Sequence, residues 1–185
     1  MLSVVLMKMW PNFLRTLRMG CILKMLKTLY LTVGVPGSGK STFCEKLVAK
    51  RVSRDAIRFS MINDNDEYFQ KEKDVWKKYV HQIQEEINAN NTVIADATHL
   101  NKKSRQKLLN ALDLKDYVVF VLYFNVPLST CLARNAKRSG RENVPKDVVA
   151  NMYSHMTEPT LEEDDRYYAI LSINNEGLIY RLEQR

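Results

Sequence analysis

The 185-residue sequence contains no apolar run approaching the roughly 18 residues that a membrane-spanning helix requires, so no membrane partner is expected. Six glycines and five prolines are too few for a linker-rich or disordered chain, and no internal repeat is present. The three cysteines, Cys21, Cys44 and Cys131, are widely spaced and form no CxxC pair, which argues against a disulfide framework or a zinc cluster. A reducing, cytoplasmic compartment is the corresponding expectation. Cys44 and Cys131 lie among apolar neighbours in expected helices and read as small core residues. His81, His99 and His155 lack ligand-like spacing.

Acidic residues are missing from residues 1–24, where Lys8, Arg15, Arg18 and Lys24 carry four of the seven net positive charges. The remaining +3 is only mildly basic. An anionic partner is expected, and ATP would meet that expectation as well as nucleic acid would. The same stretch lacks the long apolar centre of a secretory signal and the serine content of a transit peptide. Residues 1–24 therefore read as an N-terminal extension outside the core, and 25–185 as one globular domain.

Within 25–185 the pattern alternates between strand and helix. Thr28 to Val33 is apolar and β-branched and ends at Gly34. A helix is expected over Lys40 to Arg51, with Phe43, Leu47 and Val48 on one face, and a second strand over Ile57 to Ile62. Val75, Tyr79, Val80, Ile83 and Ile87 recur at helical spacing. Thr92 to Ala95 is a strand ending at Asp96, and Asn101 caps a helix carrying Leu108, Leu109 and Leu112. Tyr117 to Phe124 is nearly all apolar, the mark of a strand buried on both faces. Pro127 and Pro145 open two further helices, and the tail returns to strand at Tyr168–Ile173 and Leu178–Leu182. The expected fold is α/β, a three-layer sandwich with a parallel sheet and helices on both faces; with the Gly34–Thr42 motif, it is the P-loop NTPase form of that sandwich.

Gly34 to Thr42 reads Gly-Val-Pro-Gly-Ser-Gly-Lys-Ser-Thr and satisfies G-x-x-x-x-G-K-[ST]. Gly34, Gly37 and Gly39 let the backbone curl so that successive N–H groups, including those of Ser38 and Thr42, point at a phosphate. Lys40 reaches the β- and γ-phosphates, and Ser41 supplies one oxygen to Mg²⁺. ATP and Mg²⁺ are therefore the expected ligands.

A P-loop alone does not separate kinases from ATPases or GTPases. Asp66 and Asp96 sit at the ends of expected strands, where ligands bind in open α/β sheets. Each could handle the proton or orientation of an attacking hydroxyl, and each could equally be a cap or turn residue. Arg134, Arg138 and Arg141 precede or enter a glycine-containing loop. That is the form of a cationic lid closing over a transferring phosphoryl group, or of a charge cluster opposing a helix dipole.

Together these segments resemble the kinase domain of phage-type polynucleotide 5′-hydroxyl kinases. The matching pieces are Leu31 to Thr42, Asn65-Asp-Glu-Tyr68, Val93 to Asn101, and Phe124-Asn-Val-Pro127 running into Arg134-Asn-Ala-Lys-Arg138, Val144-Pro145 and Met152-Tyr153. The resemblance implies an adenylate-kinase-like core and transfer of the ATP γ-phosphate to a 5′-OH of DNA or RNA. It makes Asp66 the general base, Asp96 a second acid at the acceptor, and Arg138 the lid arginine with Arg134 beside it. Pro159 to Tyr168 looks like an adenine-side segment. The sequence departs from the family where an acceptor-gripping arginine is expected, since that position is Phe69. Two rival readings are a P-loop phosphotransferase acting on a small molecule and a nucleotide-dependent switch.

Overall fold

Tyr117 to Phe124, apolar at every position, is an interior strand in the computed structural model, which describes residues 26–62 and 71–185. In chain order the elements are β1 (Lys27–Val33), α1 (Lys40–Cys44), β2 (Lys50–Ser53), α2 (Arg54–Met61), α3 (Glu72–Ala89), β3 (Thr92–Asp96), α4 (Lys102–Leu109), β4 (Tyr117–Phe124), α5 (Leu128–Asn135), α6 (Lys146–Ser154), β5 (Tyr167–Ile173) and β6 (Ile179–Gln184). Single 3-10 turns occur at Gly140–Glu142 and Leu161–Glu163.

The strands form one sheet in the order β2-β3-β1-β4-β5-β6. The first five are parallel, as expected. β6 runs antiparallel to β5, because the short turn from Asn174 to Gly177 can close a hairpin but cannot carry a crossover. β1 lies between β3 and β4, so the chain leaves it first toward one edge of the sheet and later toward the other. The loop after β1 thus sits at the topological switch point, where such sheets open a crevice.

Helices cover both faces. Val75, Tyr79, Ile83 and Ile87 of α3 and Leu108 and Leu109 of α4 bury one face of the sheet. Phe43 of α1, Cys131 of α5 and Val149 of α6 bury the other. Each buried aliphatic or aromatic side chain contributes about 1.5–3 kcal/mol, and the three-layer arrangement follows from having two such apolar faces. Burial pushes the Cys44 thiol up to about 12 and raises that of Cys131, so both behave as core residues.

Two local expectations are corrected. The helix expected over Lys40–Arg51 stops at Cys44. Beyond it the bonds shorten to Lys46 N–Phe43 O and Leu47 N–Cys44 O, Val48 is fully exposed, and residues 50–53 are drawn into the sheet beside β3. The strand expected over Ile57–Ile62 is helical instead. Ser53 Oγ caps α2 by accepting from Ala56 N at 3.3 Å, and Asp55 and Arg58 pair one turn apart on it. Those local bonds outweigh the β-branched character of Ile57 and Ile62. Asn101 caps α4 through a reciprocal box with Ser104, and Pro127 and Pro145 stand just before α5 and α6, as expected.

The largest fully buried side chain is charged. Arg105 Nε and Nη2 donate to Glu163 at 2.8 and 2.5 Å, while Nη1 reaches the carbonyls of His99 and Thr157. This pins the return from α6 to β5 along α4. Removing one member leaves the other charge unpaired in the core. Arg105→Ala should therefore lower unfolding stability by about 3–5 kcal/mol in urea titrations.

Candidate active site

Gly34 to Thr42 leaves the C-terminal end of β1 and wraps around the start of α1. Gly34 N donates to Thr98 O at 3.0 Å, which ties the loop to the turn leaving β3. Gly37 has φ 80, and a Cβ there would lie 2.2 Å from the Cys131 carbonyl oxygen, so this position admits no side chain. Gly39 has φ 95 at the start of α1. Ser38 Oγ is buried without a hydrogen-bond partner among the described residues, an orphan hydroxyl of the kind a bound phosphate oxygen would satisfy. Thr42 lies on the exposed side of α1.

Lys40 Nζ folds back over the loop and donates to the carbonyls of Gly34 and Val35, both at 2.9 Å. Burial lowers its pKa; the fields of Asp96 and Asp55 oppose this and that of Arg138 adds to it. Asp96, Asp55 and Arg138, which act on the Lys40 ammonium along with Cys131, thus come from segments far apart in sequence.

Asp96 ends β3 and is 5% exposed. Its Oδ2 accepts from Arg51 Nε at 2.8 Å and Nη2 at 2.6 Å, and its Oδ1 lies 3.4 Å from the Thr32 hydroxyl. The parallel register places Ser53 beside Asp96, and α2 begins at the next residue. That brings Arg54, Asp55 and Arg58 to the same edge of the sheet. Asp55 pairs with Arg58, which also donates to Glu72 Oε2 at 3.0 Å, and Glu72 accepts from Arg54 as well.

A cleft of about 1200 Å³ opens at this edge, lined by Gly37, Gly39, Lys40, Ser41, Asp55, Asp96 and Arg138 among others. Of the residues singled out in the sequence, it therefore unites the loop, Asp96, Arg138 and Arg141. Arg134 does not line it: on the last turn of α5, its Nη2 donates to Asn175 O at 2.5 Å and its Nη1 lies 3.6 Å from where a Gly39 Cβ would be. Asn65, Asp66 and Phe69 lie outside the described residues. Pro159 to Tyr168 does not reach the cleft. It runs down α4, from Thr157 N on Leu100 O, past Glu163 on Arg105, to Arg166 Nη1 on Leu109 O.

Arg51, Arg54, Asp55 and Arg58 line the cleft and were absent from the expected site. Ser53-Arg-Asp-Ala-Ile-Arg58 carries a helix-start signal, a cap followed by an i, i+3 acid–base pair, which the strand reading of Ile57–Ile62 concealed. The loop between α5 and α6 is shaped by buried Asn135, whose Nδ2 donates to Val144 O at 2.7 Å and Asn143 Oδ1 at 3.1 Å. Arg141 Nη1 reaches across to Ile62 O at 3.0 Å.

No cluster of three or more His, Cys, Asp or Glu side chains able to hold a metal occurs among the described residues. Mg²⁺ commonly takes few protein ligands and completes its shell with phosphate oxygens and water. Ser41, half-buried on the cleft wall, fits that limited role. None of the described helices is long and apolar enough to cross a membrane.

A family model described as an AAA domain matches residues 29–159. The L-seryl-tRNA(Sec) kinase of Methanococcus maripaludis is 26% identical over 140 residues, covering 71% of this chain and 53% of that protein. A protein of Autographa californica nuclear polyhedrosis virus, whose name describes a bifunctional polynucleotide kinase/RNA ligase, is 26% identical over 141 residues, covering 69% of this chain and 20% of that protein. A chain in the structure of the Pnkp1/Rnl/Hen1 RNA repair complex shares 25% identity at a TM-score of 0.62, over 70% of this chain and 44% of that one. The chain thus spans about half or less of each relative. The resemblance to a polynucleotide-kinase-type domain, read from the motifs, holds in these comparisons.

His99, just beyond Asp96, adopts φ 40 and is buried, with Nδ1 2.8 Å from Thr32 O and Nε2 3.4 Å from Tyr79 Oη. Burial drives its pKa from the ordinary 6.5 down to about 3, against the pull of the Thr32 bond. Between those values the unfolded chain takes up a proton that the folded chain refuses. The His99 contribution is thus whole above pH 6.5 and is lost as the pH falls toward 3. His99→Asn, which tolerates positive φ, should flatten the acid limb of unfolding free energy by up to about 1.4 kcal/mol per pH unit. Urea titrations at neutral and acidic pH measure it.

Proposed function

We propose a function for a chain that belongs to the AAA domain family: ATP-dependent transfer of the γ-phosphate to a 5′-hydroxyl of DNA or RNA. The observation that carries this reading is the convergence of Lys40, Asp55, Asp96 and Arg138 on one cleft at the switch point of the sheet. The likeness to the viral and RNA-repair relatives supports the acceptor class.

The loop N–H groups and Lys40 hold the β- and γ-phosphates, Lys40 exchanging the Gly34 and Val35 carbonyls for phosphate oxygens. The Ser41 hydroxyl would help hold Mg²⁺ together with the phosphates, and the ion would supply charge neutralisation there. Asp55 takes the proton of the acceptor hydroxyl as that oxygen attacks the γ-phosphorus and the bond to the β-phosphate oxygen breaks, releasing ADP. Its pairing with Arg58, itself anchored on Glu72, fixes the direction of the carboxylate. Asp96, steadied by Arg51 and Thr32, orients the acceptor. Arg138 neutralises charge spreading over the transferring group, and Arg134 secures the outer side of the loop. Asp66, the base that the motif resemblance implies, lies outside the described residues, and Asp55 is proposed here as the acid that lines the cleft with Lys40 and Asp96.

A γ-phosphate transfer assay with 5′-OH DNA and RNA oligonucleotides beside a nucleoside panel tests the acceptor. Label on nucleosides alone would overturn the polynucleotide reading, and no transfer at all would favour a switch. Asp55→Asn should lower kcat by about 10²–10⁴-fold; full activity in Asp55→Asn together with such a loss in Asp66→Asn would assign the base role to Asp66. Arg138→Ala should lower kcat by about 10³-fold with little change in the KM for ATP.

A further inference from the structure

The flank of α3 that faces α4 carries cations outside the phosphoryl-transfer machinery. Helical spacing puts Lys73, Trp76 and Lys77 on this flank, while Lys78 and Gln82 line the cleft from the other. Lys107 Nζ of α4 lies 4.5 Å from the centre of the Trp76 ring, and Arg54 Cζ of α2 lies 5.3 Å from it. Lys103 stands one turn before Lys107, on a helix that contains no acidic residue. Lys73, Lys77, Lys103 and Lys107 are exposed, and none of them pairs with a carboxylate among the described residues.

Repulsion among these like charges costs free energy, and no ion pair of these lysines among the described residues offsets it. The Trp76 ring also holds the ends of two long side chains that solvent would otherwise leave mobile. Ordered cations on an aromatic, with further lysines a turn away on each helix, form the kind of track that binds a single-stranded phosphate backbone. The track connects with the cleft at two points. Arg54 both lines the cleft and covers Trp76, and Thr98 lines the cleft only a few residues before α4 begins. Glu45, Glu85 and Glu86 also line the cleft and would repel a polyanion running past them.

We propose that the Lys73–Trp76–Lys77 flank of α3 and the Lys103–Lys107 row of α4 form an exit track for single-stranded nucleic acid, holding the phosphates downstream of the acceptor nucleotide. This rests on the polynucleotide reading of the cleft. It predicts a dependence on acceptor length that the catalytic residues alone do not produce.

The test compares wild type with a Lys73→Ala/Lys103→Ala/Lys107→Ala variant, and with the corresponding triple substitution to arginine. The alanine variant should raise the KM for a strand of about 12 nucleotides at least tenfold while leaving the KM for a dinucleotide and for ATP unchanged. In fluorescence-anisotropy titrations of the labelled strand, the slope of log affinity against log salt should fall by about 2, and the arginine variant should restore it. Equal losses for dinucleotide and long strand, or an unchanged salt slope, would overturn the track. So would displacement of the strand by poly-glutamate as readily as by single-stranded DNA, since the surface would then be a general polyanion site. If no oligonucleotide accepts phosphate, the acceptor reading fails, and the binding titration still decides the track: wild-type binding with the lost slope supports it, and no wild-type binding overturns it.

Discussion

The carboxylate of Asp96 joins three strands at the edge of the sheet where the cleft opens. It accepts two hydrogen bonds from Arg51 of β2 and sits beside the Thr32 hydroxyl of β1, which also donates to Ala97 O at 2.8 Å. A nearly buried carboxylate without those partners would cost several kcal/mol. The strand ends must therefore stay in register for the charge to remain there. The bond from Gly34 N to Thr98 O extends the same constraint to the phosphate-binding loop.

The chemistry of the cleft follows from that constraint. With Ser53 held beside Asp96, α2 has to begin at the open edge, and Asp55 on its first turn points where Lys40 senses its field. Arg58 and Glu72 then tie α2 to α3, so one wall of the cleft is built from two helices braced by ion pairs. On the loop side the main chain is tightly packed, because Gly37 is pressed against Cys131 O, and Lys40 folds back over it.

Charge is sorted in the same way. Arg51, Arg54 and Arg58 are each matched to carboxylates, whereas the exposed lysines of α3 and α4 are not paired among the described residues. The matched arginines hold shape, and the lysines remain available to an anion from outside.

The sheet strands other than β2, the long helix α3, the caps at Asn101, Pro127 and Pro145, and the phosphate loop were legible from periodicity, cap residues and glycine spacing, because each depends on neighbours within a few residues. The loop was legible for a further reason: its glycines are required by its own curled backbone. The error lay at 40–62, where Phe43, Leu47 and Val48 suggested one helix and Ile57 to Ile62 a strand. There the outcome turned on Arg51 finding Asp96, forty-five residues away, and on the β2–β3 register that this pair accompanies. No local pattern contains that information. By itself the sequence determined an α/β chain with a phosphate-binding loop. Only the tertiary structure decided which acids and arginines share the cleft with it, because their convergence depends on strand register and on ion pairs between distant residues.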